Sequence, residues 1–282
     1  MIHLCRWGRA DYEQGSLDGL PAGTVLVDDP ADAEIVVVPS SRRVSPANVP
    51  RARLVITTTS GYEHLDVAAL RAAGVRCSRL PLVRCDAVVE STLGMILALT
   101  RRLGPFREAG HQGLWDRANL HRYDARLLGR VAVVGMGVIG CKMAHVLRAL
   151  GAEVVEVRSG QAIPSDVGVV TLHASLTHAS RDLVSAEVIA SFAPGCVVVN
   201  TARGKLLDVG ASYAALQSGH LGGLGVDVFP EEPAPLERYV HPQMIVTPHA
   251  AGWHPRLGAN IAEGVAEAVG ALLAGEPVPW SL

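Results

Sequence analysis

Val131-Ala-Val-Val-Gly-Met-Gly-Val-Ile-Gly-Cys-Lys-Met-Ala-His-Val-Leu-Arg-Ala-Leu150 is the stretch that decides the fold of this 282-residue chain. It opens with an apolar run, residues 131–134, of the kind that a strand buried on both faces requires. Apolar residues then recur at helical intervals, and Gly151 is a typical helix stop. Between the strand and the helix, three glycines follow the G-x-G-x-x-G spacing: Gly135, Gly137 and Gly140.

Each part of this turn has a physical role in binding a dinucleotide. Gly135 permits the tight turn, Gly137 lets the backbone approach a pyrophosphate, and Gly140 lets the helix pack close to the strand. The free N–H groups at the start of the helix, near Val138 and Ile139, would hold the phosphates. A lone glycine motif is weak because glycine is common in turns. The strand before it and the helix after it favour dinucleotide binding over an ordinary strand–helix turn.

The composition is that of a globular protein. Hydrophobic residues make up 49% of the chain and charged residues 18%, and 282 residues allow two domains of ordinary size. The formal net charge is -2 and the sequence contains no long basic block. Nucleic acid is therefore not an expected partner.

The five cysteines are scattered and form no C-x-x-C pair. This pattern favours a reducing compartment and predicts no metal site. The first residues lack the apolar core of a signal peptide, and no apolar run looks long enough to span a bilayer. We therefore expect a soluble cytoplasmic protein without a membrane partner.

Short apolar runs predict a first α/β unit of five strands, with one helix over residues 65–73. A nearly all-apolar helix should follow over residues 86–103, ended by Gly104-Pro105. A long amphipathic helix is expected from Leu257 to Gly275. The predicted strands of the first unit are Ile2–Cys5, Thr24–Val27, Glu34–Pro39, Arg53–Thr57 and Val75–Leu80.

Alternating strands and helices continue after the glycine motif, with a helix capped by Asp208 and running to Gln217. The connection from Ser159 to Asp166 is too short for the strand and helix that a doubly wound domain usually has there. We therefore expect one element to be missing. The predicted strands are Glu153–Val157, Val167–His173, Cys196–Asn200, Leu224–Phe229 and Met244–Thr247.

Three polar signals follow predicted strands on the carboxyl side, where open α/β sheets bind ligands. They are centred on Arg203, Glu232 and His249. Taken singly, each has an ordinary explanation: a surface arginine, a solvated acid and a buried, satisfied histidine.

Together the three residues match the needs of 2-oxo acid reduction. The Arg203 guanidinium can bind a carboxylate and a carbonyl in a fork. The His249 imidazolium can give the carbonyl oxygen a proton as hydride reaches the carbon, and Glu232 can fix its tautomer. His254 is a possible competitor as proton donor, but the spacing from the other motifs favours His249.

From about Thr57 to Gly275 the chain resembles the D-isomer-specific 2-hydroxyacid dehydrogenases. The order and spacing of the motifs carry this resemblance much more specifically than any single motif does. Besides the glycine motif they are Thr59-Ser-Gly-Tyr-Glu-His-Leu-Asp66, Ala87-Val-Val-Glu90, Leu172-His173, Asn200-Thr-Ala-Arg-Gly204, Val226-Asp-Val-Phe229, Glu232-Pro233 and Thr247-Pro-His249.

The resemblance implies roles for individual residues. Arg203, Glu232 and His249 would take the catalytic roles described above, and the backbone at Ser60 and Gly61 would help Arg203 to hold the substrate carboxylate. Asp227 would face the nicotinamide carboxamide. The other implied cofactor contacts are His173, Thr201, Ala202 and Gly252.

The resemblance also implies an architecture. The α/β fold would have two doubly wound, Rossmann- or flavodoxin-like parallel-sheet domains, with the cofactor domain inserted into a smaller, discontinuous substrate domain. We place the substrate domain at 1–87 plus 257–282 and the dinucleotide-binding domain at 88–256. Family members commonly dimerise through the cofactor domain, so a homodimer is expected.

One departure from the family pattern bears on the cofactor. The second cofactor strand often ends in an acidic residue that bonds the ribose, but here the chain reads Val157-Arg158-Ser159. An arginine cannot accept a hydrogen bond from a ribose hydroxyl but can pair with a 2′-phosphate. Arg158 and Ser159 therefore favour NADP over NAD. The alternative is that Arg158 only faces solvent and that discrimination is loose.

The sequence thus predicts an oxidoreductase that moves hydride between NAD(P)H and a small 2-oxo acid or D-2-hydroxy acid. Glyoxylate and hydroxypyruvate are the first substrates to test. The alternative from another class is a nicotinamide-dinucleotide-responsive binding or regulatory protein of the same fold with little turnover, which the fold and the glycine motif alone do not exclude.

Overall fold

The computed structural model describes residues 1–8, 19–115 and 117–282. They form two compact units, the first made of Met1–Cys85 with Trp253–Leu282 and the second of Asp86–Gly252. The predicted domain limits, 1–87 plus 257–282 and 88–256, stay a prediction beside this division.

The first unit contains a parallel sheet of five strands in the order β2-β1-β3-β4-β5. All five predicted strands are confirmed to within two residues at either end. The elements are β1 (Ile2–Arg6), β2 (Thr24–Val27), β3 (Ile35–Val38), β4 (Leu54–Thr57), β5 (Arg76–Arg79), α1 (Val67–Ala72) and α7 (Leu257–Ala274). Asp66 caps α1, since its carboxylate accepts a hydrogen bond from the Ala69 N–H.

Helix α7 covers one face of this sheet with the predicted apolar stripe. Leu257, Ile261, Val265, Val269 and Leu272 are buried against residues of β1, β3 and β4. By length and composition, α7 is the one helix in the described part of the chain that could cross a membrane, with a mean hydropathy of 1.3. The prediction that no apolar run is long enough to span a bilayer is therefore wrong on length. The stripe itself packs in the core of the first unit.

The second unit contains a parallel sheet of six strands in the order β11-β10-β9-β8-β6-β7. Strands β8, β9 and β10 are buried along their whole length, as the apolar runs require. The strands are β6 (Arg130–Val134), β7 (Glu153–Val157), β8 (Val169–Leu172), β9 (Cys196–Asn200), β10 (Leu221–Val226) and β11 (Met244–Val246). The helices are α2 (Cys85–Thr100), α3 (Leu103–His111), α4 (Val138–Ala149), α5 (Ala186–Ser191) and α6 (Val209–Gln217).

The strand order creates a crevice at the carboxyl edge of the second sheet. The chain leaves β6 outward to β7 and then returns to β8 on the other side of β6. Connections diverge at such a switch point, and ligands of doubly wound sheets bind there. Residues 158–168 contain no helix or strand, so β7 is the edge of the sheet. The predicted loss of one element is confirmed.

Two predicted boundaries are wrong. Gly104-Pro105 does not end a helix; α2 ends at Thr100, and both residues lie in the first turn of α3, where proline is tolerated. Strand β10 begins at Leu221 and ends at Val226, whereas Leu224–Phe229 was expected. Its glycines hide the strand pattern, and a Cβ at Gly222 would lie 2.3 Å from the Gly195 carbonyl oxygen.

Candidate active site and cofactor site

The glycine turn between β6 and α4 is shaped by close backbone contacts. Gly135 has a φ of 95°, and a Cβ there would lie 2.4 Å from the Ala174 nitrogen. A Cβ at Gly140 would lie 1.9 Å from the Gly135 carbonyl oxygen. Side chains are therefore excluded at both positions. Gly137 differs, because a Cβ there would meet no atom within 4 Å and the space in front of it is open.

The first turn of α4 adds donors to this open space. The first intrahelical bond runs from the Cys141 N–H to the Gly137 carbonyl, 2.9 Å apart. The N–H groups of Val138 and Ile139 precede it, at the positive end of a twelve-residue helix. An open glycine backed by helix N–H groups fits the pyrophosphate of a dinucleotide.

His173 follows β8 and lies against the glycine turn. Its N–H donates to the Val134 carbonyl at 2.7 Å, and its Nε2 lies 3.0 Å from Thr171 Oγ1. Burial lowers the pKa of His173 to about 4, so the ring is neutral near pH 7. A neutral ring beside the crevice adds no charge to a bound cofactor.

The turn after β9 is built by the buried Asn200. Its side-chain oxygen accepts from the Ala202 N–H at 3.0 Å, and its amide nitrogen donates to the Arg203 carbonyl at 2.9 Å. Thr201 is tied to helix α2 by a 2.7 Å bond between its hydroxyl and that of Thr92. This turn fixes the backbone of the residues predicted at the cofactor, Thr201 and Ala202, and of Arg203.

Gly204 brings the Arg203 turn against the end of β10. A Cβ at Gly204 would lie 1.9 Å from the Phe229 carbonyl carbon, so only glycine fits. The Arg203 guanidinium donates from Nη1 to the Ala202 carbonyl at 2.7 Å. Two of the three polar signals, at Arg203 and at residues 227–232, are therefore in backbone contact.

Asp227 holds the turn that carries the third signal. This carboxylate is 1% exposed and accepts from the Thr247 hydroxyl at 2.5 Å and from the N–H groups of Ala250 and Ala251 at 2.7 and 3.1 Å. Its own carbonyl accepts from the His249 N–H at 2.8 Å. The contact of Asp227 with the nicotinamide carboxamide stays a prediction. The structure adds the bracing of residues 247–251, which the sequence reasoning missed.

His249 and Glu232 are paired side chains. The His249 Nδ1 lies 2.8 Å from Glu232 Oε2, and Glu232 Oε1 accepts from the Phe229 N–H at 3.0 Å. The two side chains are 51% and 38% exposed, so both can be reached from the crevice. His249 has a φ of 55°, a left-handed conformation that is strained for a non-glycine residue and persists where its surroundings hold it.

The competing histidine has a different partner. His254 belongs to the first unit, where its Nε2 lies 2.8 Å from the Val83 carbonyl oxygen. The pairing of His249 with a carboxylate therefore supports His249, rather than His254, as the acid–base group.

Ser60 and Gly61 lie in the first unit, in the loop after β4. The Ser60 carbonyl accepts from Arg79 Nη1 at 3.1 Å, and the Ser60 hydroxyl donates to the Pro81 carbonyl at 3.2 Å. The Gly61 carbonyl accepts from the Thr59 hydroxyl at 2.8 Å. Arg79 was not singled out from the sequence, although its place at the carboxyl end of a predicted strand was a usable signal.

Arg158 ends β7 and is 62% exposed, but it does not simply face solvent. Its Nη2 lies 2.9 Å from Glu156 Oε2, and the other Glu156 oxygen lies 2.8 Å from Arg148 Nη2. Ser159 follows in an exposed turn, and Gly252 ends the second unit beside the braced turn. The sequence reasoning overlooked Glu156 and Arg148.

Comparison with known proteins agrees with this geometry. The family model for the "D-isomer specific 2-hydroxyacid dehydrogenase, NAD binding domain" matches residues 93–251. The chain is 27% identical to a D-3-phosphoglycerate dehydrogenase of Haemophilus influenzae over 94% of its own length and 69% of that protein. It is 30% identical to a D-3-phosphoglycerate dehydrogenase of Mycobacterium leprae, of which it spans only about half, 53%.

A solved structure, the TT0316 protein from Thermus thermophilus, matches over the whole of both chains. The TM-score is 0.82 and the sequence identity 26%. This likeness extends over both sheets described above.

The bracing by Asp227 gives a prediction about stability. Replacing Asp227 with Asn turns an acceptor into a donor facing the Ala250 and Ala251 N–H groups. Leaving such buried groups unpaired costs about 1–3 kcal/mol. We expect a lower denaturation midpoint and faster hydrogen exchange at the Ala250 and Ala251 amides.

Thr247→Val is the matched control, because it removes only the hydroxyl donor and leaves both N–H bonds in place. It should lower stability by about 1 kcal/mol without exposing these amides. Unchanged stability and exchange in Asp227→Asn would contradict the bracing role.

Proposed function

Because this chain belongs to the D-isomer specific 2-hydroxyacid dehydrogenases, nicotinamide-dependent oxidoreductases of 2-oxo acids and D-2-hydroxy acids, we propose that Arg203, Glu232 and His249 are its catalytic residues. We further propose that its substrate is a small 2-oxo acid and that NADP is its preferred cofactor. The observation that carries the proposal is the 2.8 Å pairing of His249 with Glu232 on a turn braced by a buried carboxylate.

The His249–Glu232 pair defines which ring nitrogen reacts. A proton on Nδ1 donates to Glu232 Oε2, which leaves Nε2 to exchange a proton with the substrate. In the reductive direction, the Nε2 of protonated His249 gives its proton to the carbonyl oxygen. In the oxidative direction, Nε2 takes the hydroxyl proton. Glu232 stabilises the positive charge on the ring in both directions.

Substrate orientation falls to Arg203. Its planar guanidinium can bind the carboxylate and the carbonyl oxygen in a fork, which fixes the carbon to be reduced. The backbone at Ser60 and Gly61 is proposed to bind the same carboxylate. The nicotinamide, when bound, supplies or accepts the hydride.

The proton-transfer role is tested with His249→Ala. We expect kcat/KM to fall by about 10²–10⁴-fold, the usual contribution of a positioned acid or base, while cofactor binding changes little. His254→Ala is the matched control and should retain most of the activity, because His254 bonds the Val83 carbonyl and has no carboxylate partner in its ring contact. Equal activity of wild type and His249→Ala would refute the assignment.

The substrate is tested with a panel of 2-oxo acids and the loss of NADPH absorbance. The panel should hold glyoxylate, hydroxypyruvate and, because two relatives are D-3-phosphoglycerate dehydrogenases, 3-phosphohydroxypyruvate. Turnover of a small 2-oxo acid is the expected result. Cofactor binding without turnover of any member would favour a nicotinamide-responsive regulatory protein instead.

The proposed preference for NADP rests on Arg158, at the carboxyl end of β7. Arg158→Asp should reverse the ratio of kcat/KM for NADPH and NADH, since an aspartate repels the 2′-phosphate and can accept from a ribose hydroxyl. The two ratios are measured with one substrate and one enzyme preparation. A wild-type preference for NADH would end the proposal.

We propose that the chain forms a homodimer through the second unit. Large apolar side chains are exposed along residues 103–127, far more than one monomer surface usually presents in one segment. They are Leu103, Leu114, Trp115, Leu120 and Leu127, of which Trp115 is 89% exposed and Leu127 80%.

Light scattering tests the dimer. Wild-type protein should have twice the mass of the chain, and the double variant Trp115→Ser with Leu127→Ser should move toward the monomer mass. Leu150→Ser, at an exposed leucine outside this segment, should stay dimeric. A monomeric wild type at micromolar concentration would contradict the proposal.

A cytoplasmic location is also proposed. All five cysteines are free, and four of them are buried, which suits a reducing compartment. Recovery of the protein in the soluble fraction of its native cells is expected, and recovery with membranes would contradict it.

A further inference from the structure

Glu156 on strand β7 lies between two guanidinium groups. Arg148 Nη2 is 2.8 Å from its Oε1, and Arg158 Nη2 is 2.9 Å from its Oε2. The hydrogen bond from Arg148, reinforced by the one from Arg158, lowers the pKa of the Glu156 carboxyl. Each arginine therefore already has an anionic partner, and this partner is part of the same chain.

The backbone around Arg158 is fixed. Its N–H donates to Gln161 Oε1 at 2.7 Å, and the Gln161 N–H donates back to the Arg158 carbonyl at 3.0 Å. Glu156 and Arg158 are two residues apart along the strand and so point to the same face. The exposed guanidinium can change partners without any change of the backbone.

The two arginines differ in position. Arg158 stands at the carboxyl end of β7, on the crevice side, whereas Arg148 is in the last turn of α4. Helix α4 runs away from the glycine turn, so Arg148 lies farther from that turn along the helix axis than the residues of its first turn do. Arg158 can thus reach a cofactor, while Arg148 reaches Glu156.

We infer that Glu156 is a resident anion on Arg158 that the 2′-phosphate of NADPH replaces, and that Arg148 keeps Glu156 neutralised after the exchange. This inference rests on the proposed role of Arg158 at the 2′-phosphate and deepens it. Glu156 opposes NADPH binding in two ways, by occupying Arg158 and by repelling the phosphate. Arg148 favours NADPH without touching it, and is a positioning residue.

The inference predicts opposite effects of two substitutions. Glu156→Gln should tighten NADPH binding by about threefold to fivefold, the upper range for one exposed ion pair. Arg148→Gln should weaken NADPH binding by about twofold to threefold, because Glu156 then holds Arg158 alone. NADH lacks the 2′-phosphate, so its dissociation constant should change by less than about twofold in both variants.

The measurement is titration of the full chain with NADPH and with NADH, followed by nicotinamide fluorescence without substrate. In the double variant Glu156→Gln with Arg148→Gln, the effect of losing Arg148 should vanish, because no anion remains for it to neutralise. The effect of Glu156→Gln should also shrink between 20 and 500 mM salt, values chosen to span strong and weak screening, about 20 and 4 Å Debye lengths.

Glu153→Gln is the matched control. Glu153 is on the same strand, makes a single ion pair with Arg130 at 3.0 Å and is 70% exposed, so the variant has the same change of net charge. It should leave both dissociation constants within about twofold of wild type.

Arg158→Gln separates this inference from the proposal beneath it. If Arg158→Gln leaves NADPH binding unchanged, the assignment of Arg158 to the 2′-phosphate fails and the inference fails with it. If Arg158→Gln weakens NADPH binding but Glu156→Gln does not tighten it, the inference is overturned and the assignment of Arg158 stands. Undiminished weakening by Arg148→Gln in the Glu156→Gln background would overturn the role given to Arg148.

Discussion

The carboxylate of Asp227 is the point on which the proposed chemistry depends. It is buried at the end of β10, and it receives one hydroxyl and two backbone N–H groups from residues 247–251. The backbone N–H of Asp227 donates to the Asn200 carbonyl at 3.0 Å, so the brace is itself anchored to β9. Register in the sheet thereby fixes the place of His249, and His249 in turn meets Glu232. A buried carboxylate is costly unless it is fully hydrogen-bonded, and here its bonds rigidify a strained turn at the proton-transfer residue.

The opposite side of the crevice is governed by charge rather than by burial. The glycine turn and the first turn of α4 offer backbone donors to phosphates. Beyond them β7 is the edge of the sheet, because the element that usually follows is missing. The triad of Arg148, Glu156 and Arg158 is therefore exposed at that edge, where ion pairs are weak and easily exchanged. A rigid catalytic turn and an exchangeable charge cluster thus serve the two ends of one extended ligand.

Much of this could be predicted from the sequence, because apolar runs, caps and glycine spacing are local signals. Asp208, for instance, caps α6 as expected, accepting from the Ala211 N–H at 2.9 Å. Contacts across the sheet could not be predicted in the same way. That Gly204 must be glycine follows only from its closeness to Phe229. The pair of Arg148 and Glu156 crosses from a helix to the next strand, a spacing that no helix or strand period reveals. The bracing role of Asp227 depends on a turn twenty residues away, which a family motif names but does not position.

The central claim is that His249, held by Asp227 and Glu232, acts on a substrate oriented by Arg203. A crystal structure with NADPH and oxamate, an unreactive 2-oxo acid analogue, tests it most directly. The oxamate carbonyl oxygen should lie about 2.6–3.2 Å from His249 Nε2, which is hydrogen-bond reach for proton transfer, and the Arg203 guanidinium should fork its carboxylate. Oxamate bound in the crevice with its carbonyl turned away from His249, or with Arg203 pointing elsewhere, would contradict the claim.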